Sequence, residues 1–202
     1  TEIHSAQELL AQGYDAVFLG IGASRPSIPK IPGISFSGVL SSTEFLARVY
    51  YDHSSLPNHW KPMTDLKSRR VVILGGGDSA MDCVRTAIRL GASAVTCLYR
   101  RDEANMPGSK KEVKAAKEEG ADMQFLASPT AFRSGDGRVV SRVECVRMEL
   151  GAPDKSGRRS PVPIEGSAFS VDADLVVLAF GYEVEPVLKE HGSLMPPPKN
   201  II

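Results

Sequence analysis

The passage that most constrains this chain is Val71-Val72-Ile73-Leu74 followed without a break by Gly75-Gly76-Gly77. Four consecutive apolar residues, three of them β-branched, suit a strand buried on both faces, as strands of a parallel sheet are. Glycines directly behind it allow a sharp turn into the next element. That element is a helical pattern over residues 78–90, with Ala80, Cys83, Val84, Ala87 and Ile88 on one face. Gly91 closes the helix, and residues 94–98 give a second strand. Strand, helix and strand in tight succession predict a βαβ unit.

The turn has the spacing Gly75-x-Gly77-x-x-Ala80. Gly75 permits the tight turn, Gly77 clears the place where a pyrophosphate must approach the backbone, and Ala80 lets helix and strand pack closely. Negative charge would sit on free amides and on the positive end of the helix dipole. Alone, the glycine pattern carries little; between a strand and a helix it predicts a dinucleotide site. An NAD site would place an acid near the end of the second strand. Here that strand runs into Tyr99-Arg100-Arg101, and the first acid, Asp102, follows both arginines. Guanidinium groups match a phosphate in charge and in forked donor geometry. The expected ligand is therefore NADP(H).

Elsewhere the pattern is less decisive. Ser5 and Glu8 read as a capping box opening a short helix that Gly13 ends. Ala16-Val17-Phe18-Leu19 reads as a buried strand running into the loop Gly20-Ile21-Gly22-Ala23. Pro26, Pro29 and Pro32 make an extended crossover, and a second helix is expected over residues 42–51. Ser109 and Glu112 read as a capping box for a Lys/Glu-rich helix ending at Gly120. Residues 139–150 alternate, 151–159 read as a turn-rich loop, and Leu175-Val176-Val177-Leu178 is a last apolar strand. The expected class is α/β, a Rossmann-like dinucleotide-binding domain whose parallel sheet is interrupted by an antiparallel β excursion.

The 202 residues balance 24 basic against 24 acidic side chains, so no global charge points to nucleic acid or to an anionic membrane. No apolar run approaches the ~20 residues of a membrane span, and the start shows no signal peptide. Cys83, Cys97 and Cys145 are three widely spaced cysteines without a CxxC pair. They read as buried thiols of a cytoplasmic protein rather than a disulfide framework, a redox pair or a metal site. His4, His53, His59 and His191 are scattered, so no metal is expected. Ser79 lacks the surroundings of a nucleophile, and Lys110 and Lys111 read as a solvated helix face. No residue is assigned a catalytic role.

Three sets of segments carry a resemblance. Gly75-Gly76-Gly77-Asp78-Ser79-Ala80-Met81-Asp82-Cys83-Val84-Arg85 and Tyr99-Arg100-Arg101-Asp102-Glu103-Ala104-Asn105-Met106-Pro107-Gly108-Ser109 resemble the small subunit of NADPH-dependent glutamate synthase. So do Gly151-Ala152-Pro153-Asp154, Gly157-Arg158-Arg159, Pro163-Ile164-Glu165-Gly166-Ser167 and Ala179-Phe180-Gly181. Dihydropyrimidine dehydrogenase resembles the chain less closely. The resemblance implies an NADPH domain inserted into an FAD domain: residues 1–37 as flavin-domain edge and crossover, 38–180 as the NADPH domain, and 181–202 as the return. It implies that Gly75, Gly76, Gly77, Asp78, Ser79 and Ala80 cradle phosphate and that Arg100 and Arg101 take the 2′-phosphate. Ala179, Phe180 and Gly181 would lie near the nicotinamide. It implies FAD only in the complete protein, with the rest of the flavin domain and a large glutamate synthase subunit as partners.

The glycine fingerprint for the ADP half of FAD, the later flavin Gly-Asp segment and the iron–sulfur cysteines are missing from these residues. The chain opens on Thr1 and reads as a piece of a longer protein, expected to hold NADP(H) but not FAD and to be inactive by itself. Two other readings stay open. The same module could feed a different acceptor, such as a pyrimidine or a ferredoxin, or it could be a non-catalytic nucleotide-binding module.

Overall fold

The computed structural model describes residues 6–18, 20, 22–153 and 157–183. They divide into a large compact unit, Pro26–Gly181, and a smaller one formed by the flanks. In the flank, α1 (Ala6–Ala11) is the short helix expected before Gly13. Ser5 and Leu19 lie outside the described residues. The strand expected at 16–19 is not formed over Ala16, Val17 and Phe18, and the Phe18 ring is 95% exposed. An apolar run becomes a strand only beside a partner, and the sheets of residues 26–181 do not include these residues.

The large unit is built on a five-stranded parallel sheet. Its strands are β1 (Val39–Ser41), β2 (Arg70–Leu74), β3 (Ala94–Tyr99), β4 (Asp122–Phe125) and, late in the chain, β8 (Leu175–Leu178). Their order across the sheet is β1-β8-β2-β3-β4. Helix α2 (Ser42–Tyr50) follows β1, with the Ser41 hydroxyl accepting from the Glu44 amide at 3.1 Å. Helix α3 (Asp78–Arg89) joins β2 to β3, and α4 (Lys110–Glu118) joins β3 to β4. Between β4 and β8 the chain makes a three-stranded antiparallel sheet, β5 (Ala127–Ser134), β6 (Val140–Pro153) and β7 (Arg159–Asp172). This is the expected α/β class with its antiparallel excursion. The stretch 151–159 expected to be loop is partly strand, because β6 and β7 run on through Pro153 and from Arg159.

Side chains along a strand alternate in direction, and β2 uses both directions. Val71 and Ile73 join Ala80, Met81, Cys83, Val84 and Phe45 in a core under the helices. Val72 and Leu74 join Phe132, Val143, Cys145 and Val176 in a second core under the antiparallel sheet. The large unit therefore has three layers, with helices on one face of the parallel sheet and the excursion on the other. Each fully buried Val or Leu side chain contributes about 1.5–3 kcal/mol of transfer free energy, so both cores matter to the sheet. Residues 26–37 belong to the second core: Ile31, Ile34 and Phe36 pack on it, and the Pro32 carbonyl accepts from the Phe132 amide at 2.8 Å.

The capping box expected at Ser109 and Glu112 is not formed. Ser109 is the N-cap of α4 but makes no side-chain capping bond. The Glu112 carboxylate instead takes the Arg85 guanidinium, which also reaches Glu119 at 2.8 Å. Pairing with a cation on α3 wins over bonding a backbone amide. All three thiols are buried, and burial pushes Cys97 and Cys145 up to about 12 and raises Cys83 as well. Protonated at neutral pH, they pack rather than react.

Strands β2 and β8 lie side by side and come close at their carboxyl ends. The Ala179 amide donates to the Leu74 carbonyl at 2.9 Å. A Cβ on Gly75, whose φ is +148°, would stand 2.3 Å from the Ala179 carbonyl oxygen. Both the neighbouring backbone and the dihedral demand glycine. Gly75→Ala should lower stability by at least ~2 kcal/mol, read from urea unfolding; an unchanged midpoint would show that the two strand ends can separate without cost.

Candidate functional site

The glycine turn lies where a parallel sheet binds ligands, outside the carboxyl ends of its strands and where the chain order reverses. From β2 the chain moves outward through β3 to β4, whereas β8 and β1 lie on the other side. Gly77 is the N-cap residue of α3 and has no side chain to cap it. No backbone acceptor among the described residues takes the amides of Asp78 or Ser79, which leaves donors at the positive end of a 12-residue helix. A Cβ built on Gly77 would meet nothing within 4 Å. The fold thus does not require glycine there, unlike at Gly75. An anion approaching the helix end would require it.

The other predicted residues fall around this turn. Ala80 is fully buried against the helix-side core and sets the close approach of α3 to the sheet. Gly76 packs beneath the Tyr99 ring, leaving a Cβ only 2.5 Å of room. Ser79 is half-buried in the first turn of α3. Asp78 is exposed, and its carboxylate accepts the Ser109 amide at 2.7 Å, so it fastens a neighbouring loop onto the turn. Ala179 stands against Gly75, whereas Phe180 is 39% exposed beyond the strand ends. The Gly181 carbonyl accepts from the Ser27 amide at 2.9 Å, so the chain enters and leaves the large unit side by side.

The adjacent arginines part company. Arg100 is exposed, with no hydrogen-bond or ion-pair partner among the described residues. Arg101 is buried, 6% exposed, and its Nε donates to the Arg159 carbonyl at 2.8 Å.

The loop from Asp102 to Ser109 had no role assigned from the sequence. It lies along the glycine turn, with the Gly108 amide donating to the Gly76 carbonyl at 3.0 Å. A Cβ on Gly108 would come within 2.9 Å of that same oxygen. Asp102 folds the loop by accepting from the Asn105 amide, and the Tyr99 hydroxyl donates to the Asn105 carbonyl. The signal was present as the pair Pro107-Gly108, which begins six residues after Arg101. Among the described residues no three His, Cys, Asp or Glu side chains gather as metal ligands, and no helix is long and apolar enough to cross a membrane.

A strand–glycine turn–helix at the switch point of a parallel sheet, with a basic residue at the next strand end, defines a dinucleotide-binding domain. The chain belongs to the pyridine nucleotide-disulphide oxidoreductase family, whose pattern matches residues 3–201. It is 48% identical over 193 residues to the Escherichia coli oxidoreductase-type protein AegA, covering 93% of this chain and 29% of that protein. It is 44% identical to the Escherichia coli glutamate synthase [NADPH] small chain, covering 86% of this chain and 37% of that one. To the Geobacter sulfurreducens NADPH-Fe(3+) oxidoreductase subunit beta it is 40% identical, covering 87% and 25%. The resemblance to glutamate synthase small subunits is thus a measured one, and the chain spans well under half of each relative. In fold it is similar to Mycobacterium tuberculosis FprA solved in complex with NADPH, with TM-score 0.72 at 20% identity over 91% of this chain and 53% of that one.

Gly77→Val should leave the fold intact and abolish nucleotide binding, because the added side chain would enter ligand space rather than core space. Circular dichroism and calorimetric titration with NADPH test this together. A folded variant that binds NADPH normally would show that the turn is structural.

Proposed function

We propose that this chain is the NADP(H)-binding module of a flavin-dependent oxidoreductase of the glutamate synthase small-subunit type. The observation that carries the reading is the open space at Gly77, on a helix end with free amides and one strand away from the exposed Arg100. The amides around Gly77 and the dipole of α3 would hold the pyrophosphate. Arg100 would meet the 2′-phosphate with a charge-assisted, forked contact. Ala179, Phe180 and Gly181, at the end of β8, would face the nicotinamide half. Asp78 would act by holding Ser109, since a carboxylate repels a phosphate.

NADPH held there would supply hydride from C4 of its nicotinamide for the FAD of the complete protein. The residues of this chain bind and orient; the cofactors carry the chemistry. Electrons would pass to a partner subunit that forms glutamate from glutamine and 2-oxoglutarate. A different acceptor is the second reading, favoured by similar identity to a relative named for Fe(3+) reduction and to AegA.

Two measurements follow. NADPH should bind more tightly than NADH by ~2–3 kcal/mol in calorimetric titration, the worth of a good charge-assisted phosphate contact. Equal affinities would remove the NADP assignment. The 202 residues mixed with FAD should not oxidise NADPH with an artificial electron acceptor, whereas the complete protein should, because hydride transfer needs flavin N5 held against the nicotinamide. Turnover by the 202 residues with FAD would overturn the module reading while leaving nucleotide binding in place.

A further inference from the structure

We infer that Arg70 and Asp174, at the amino ends of β2 and β8, are positioning residues for the site at the opposite ends of those strands. Their contact sets the register of the two strands and so decides where Gly75 and Ala179 meet. The consequence for binding rests on the nucleotide reading above; the register itself does not.

Val71 to Leu74 and Leu175 to Leu178 are two uniform apolar runs, each buried along its whole length. A strand with one polar face is held in register because a slip would turn that face into the core. Neither run has such a face. Sliding one past the other exchanges one apolar side chain for another, so burial alone does not choose between registers. The neighbour of β8 on its other side, β1, is only three residues long.

A polar contact at a fixed place supplies the missing choice. The Arg70 amide and its Nε both donate to Asp174 Oδ2, at 2.9 and 3.0 Å, and its Nη2 donates to Oδ1 at 3.0 Å. In return the Asp174 amide donates to the Arg70 carbonyl at 2.9 Å. A guanidinium fork fits a carboxylate in one geometry. A slip of one residue, ~3.3 Å along a strand, would break all of these bonds at once. The two side chains are 40% and 34% exposed, so the ion pair adds little to stability by attraction alone. Selecting one arrangement among several of similar burial is the better-attested use of such a pair.

From Arg70 to Gly75 and from Asp174 to Ala179 the chain advances by five residues on each strand. Parallel strands carry an offset unchanged from one end to the other. Equal counts therefore bring the Ala179 amide onto the Leu74 carbonyl and set Gly75 against the Ala179 carbonyl. The glycine turn and the exit through Phe180 and Gly181 both start from that meeting point. Arg70 and Asp174 touch no part of it and act through the strands.

The test compares the 202-residue chain with its Asp174→Ala, Asp174→Asn and Arg70→Gln variants by thermal melt, amide hydrogen exchange and calorimetric titration with NADPH. Asp172→Asn is the control, because Asp172 takes only the outer Nη1 of Arg70, at 2.6 Å. In Asp174→Ala and Arg70→Gln the Ala179 amide should exchange at least ~tenfold faster relative to the Val84 amide of α3, as local opening of a strand end does. NADPH affinity should fall ~threefold or more at a temperature where the variants are folded. Asp174→Asn keeps an oxygen for the Arg70 amide and should lie between these variants and the wild type, which Asp172→Asn should match. A pair that only stabilises would lower Tm and leave the relative exchange of Ala179 and the NADPH affinity unchanged, and that result would overturn the inference. Faster exchange at Ala179 with normal affinity would overturn the positioning role. Should alanine at 174 prevent folding, Arg70→Gln and Asp174→Asn decide by the same two readings. If the wild type does not bind NADPH, the nucleotide reading fails, and normal relative exchange at Ala179 in the variants then overturns the register claim by itself.

Discussion

Everything at the candidate site depends on how closely the carboxyl ends of β2 and β8 approach. At Gly75 the neighbouring backbone oxygen leaves no room even for a methyl group, and φ lies where only glycine is comfortable. The two strands can then lie in register, Val71 to Leu74 against Leu175 to Leu178. The turn from β2 rises directly into α3 at the carboxyl edge of the sheet. Two glycines of one motif thus answer to different demands. Gly75 is fixed by the protein's own backbone. Gly77 has space for a side chain, and the fold does not ask for glycine there.

The three-layer build explains why a basic residue can be held firmly at the next strand end. A doubly wound sheet usually has helices on both faces. Here the second face is covered by β5, β6 and β7, through Phe132, Val143 and Cys145 packed on Val72, Leu74 and Val176. The antiparallel sheet also extends past that core, where Arg159 gives its carbonyl to Arg101. The excursion is therefore both a lid on the apolar underside of the sheet and a brace for the loop beside the glycine turn.

The sequence was most legible where local and global demands agree. The run from Val71 to Leu74, the face of α3 and the apolar strand at Leu175 follow from period and burial alone, and the structure has them all. It was least legible where a choice is made by distant residues. Ser109 and Glu112 satisfy the capping spacing, yet Glu112 turns to Arg85, 27 residues earlier in the chain. Ala16 to Phe18 have the apolarity of a strand but pair with no strand among the described residues. Arg100 and Arg101 looked equivalent as a pair; their separation depends on the Arg159 carbonyl, 58 residues beyond Arg101. No window short enough for pattern reading contains both members of such a contact.

The division of labour across the site follows from the reach of each interaction. Backbone amides at a helix end bind any pyrophosphate, because the dipole and the free N–H groups read only negative charge and closeness. They give affinity without choosing between nucleotides that share that group. Choice requires a contact at the one position where the nucleotides differ, made by a group with no competing partner. Arg100 is exposed at the end of β3, whereas Arg101 is buried against a carbonyl of the neighbouring sheet. The glycine turn, the exposed Arg100 and the tethered Arg101 thus lie together at the carboxyl edge of one parallel sheet.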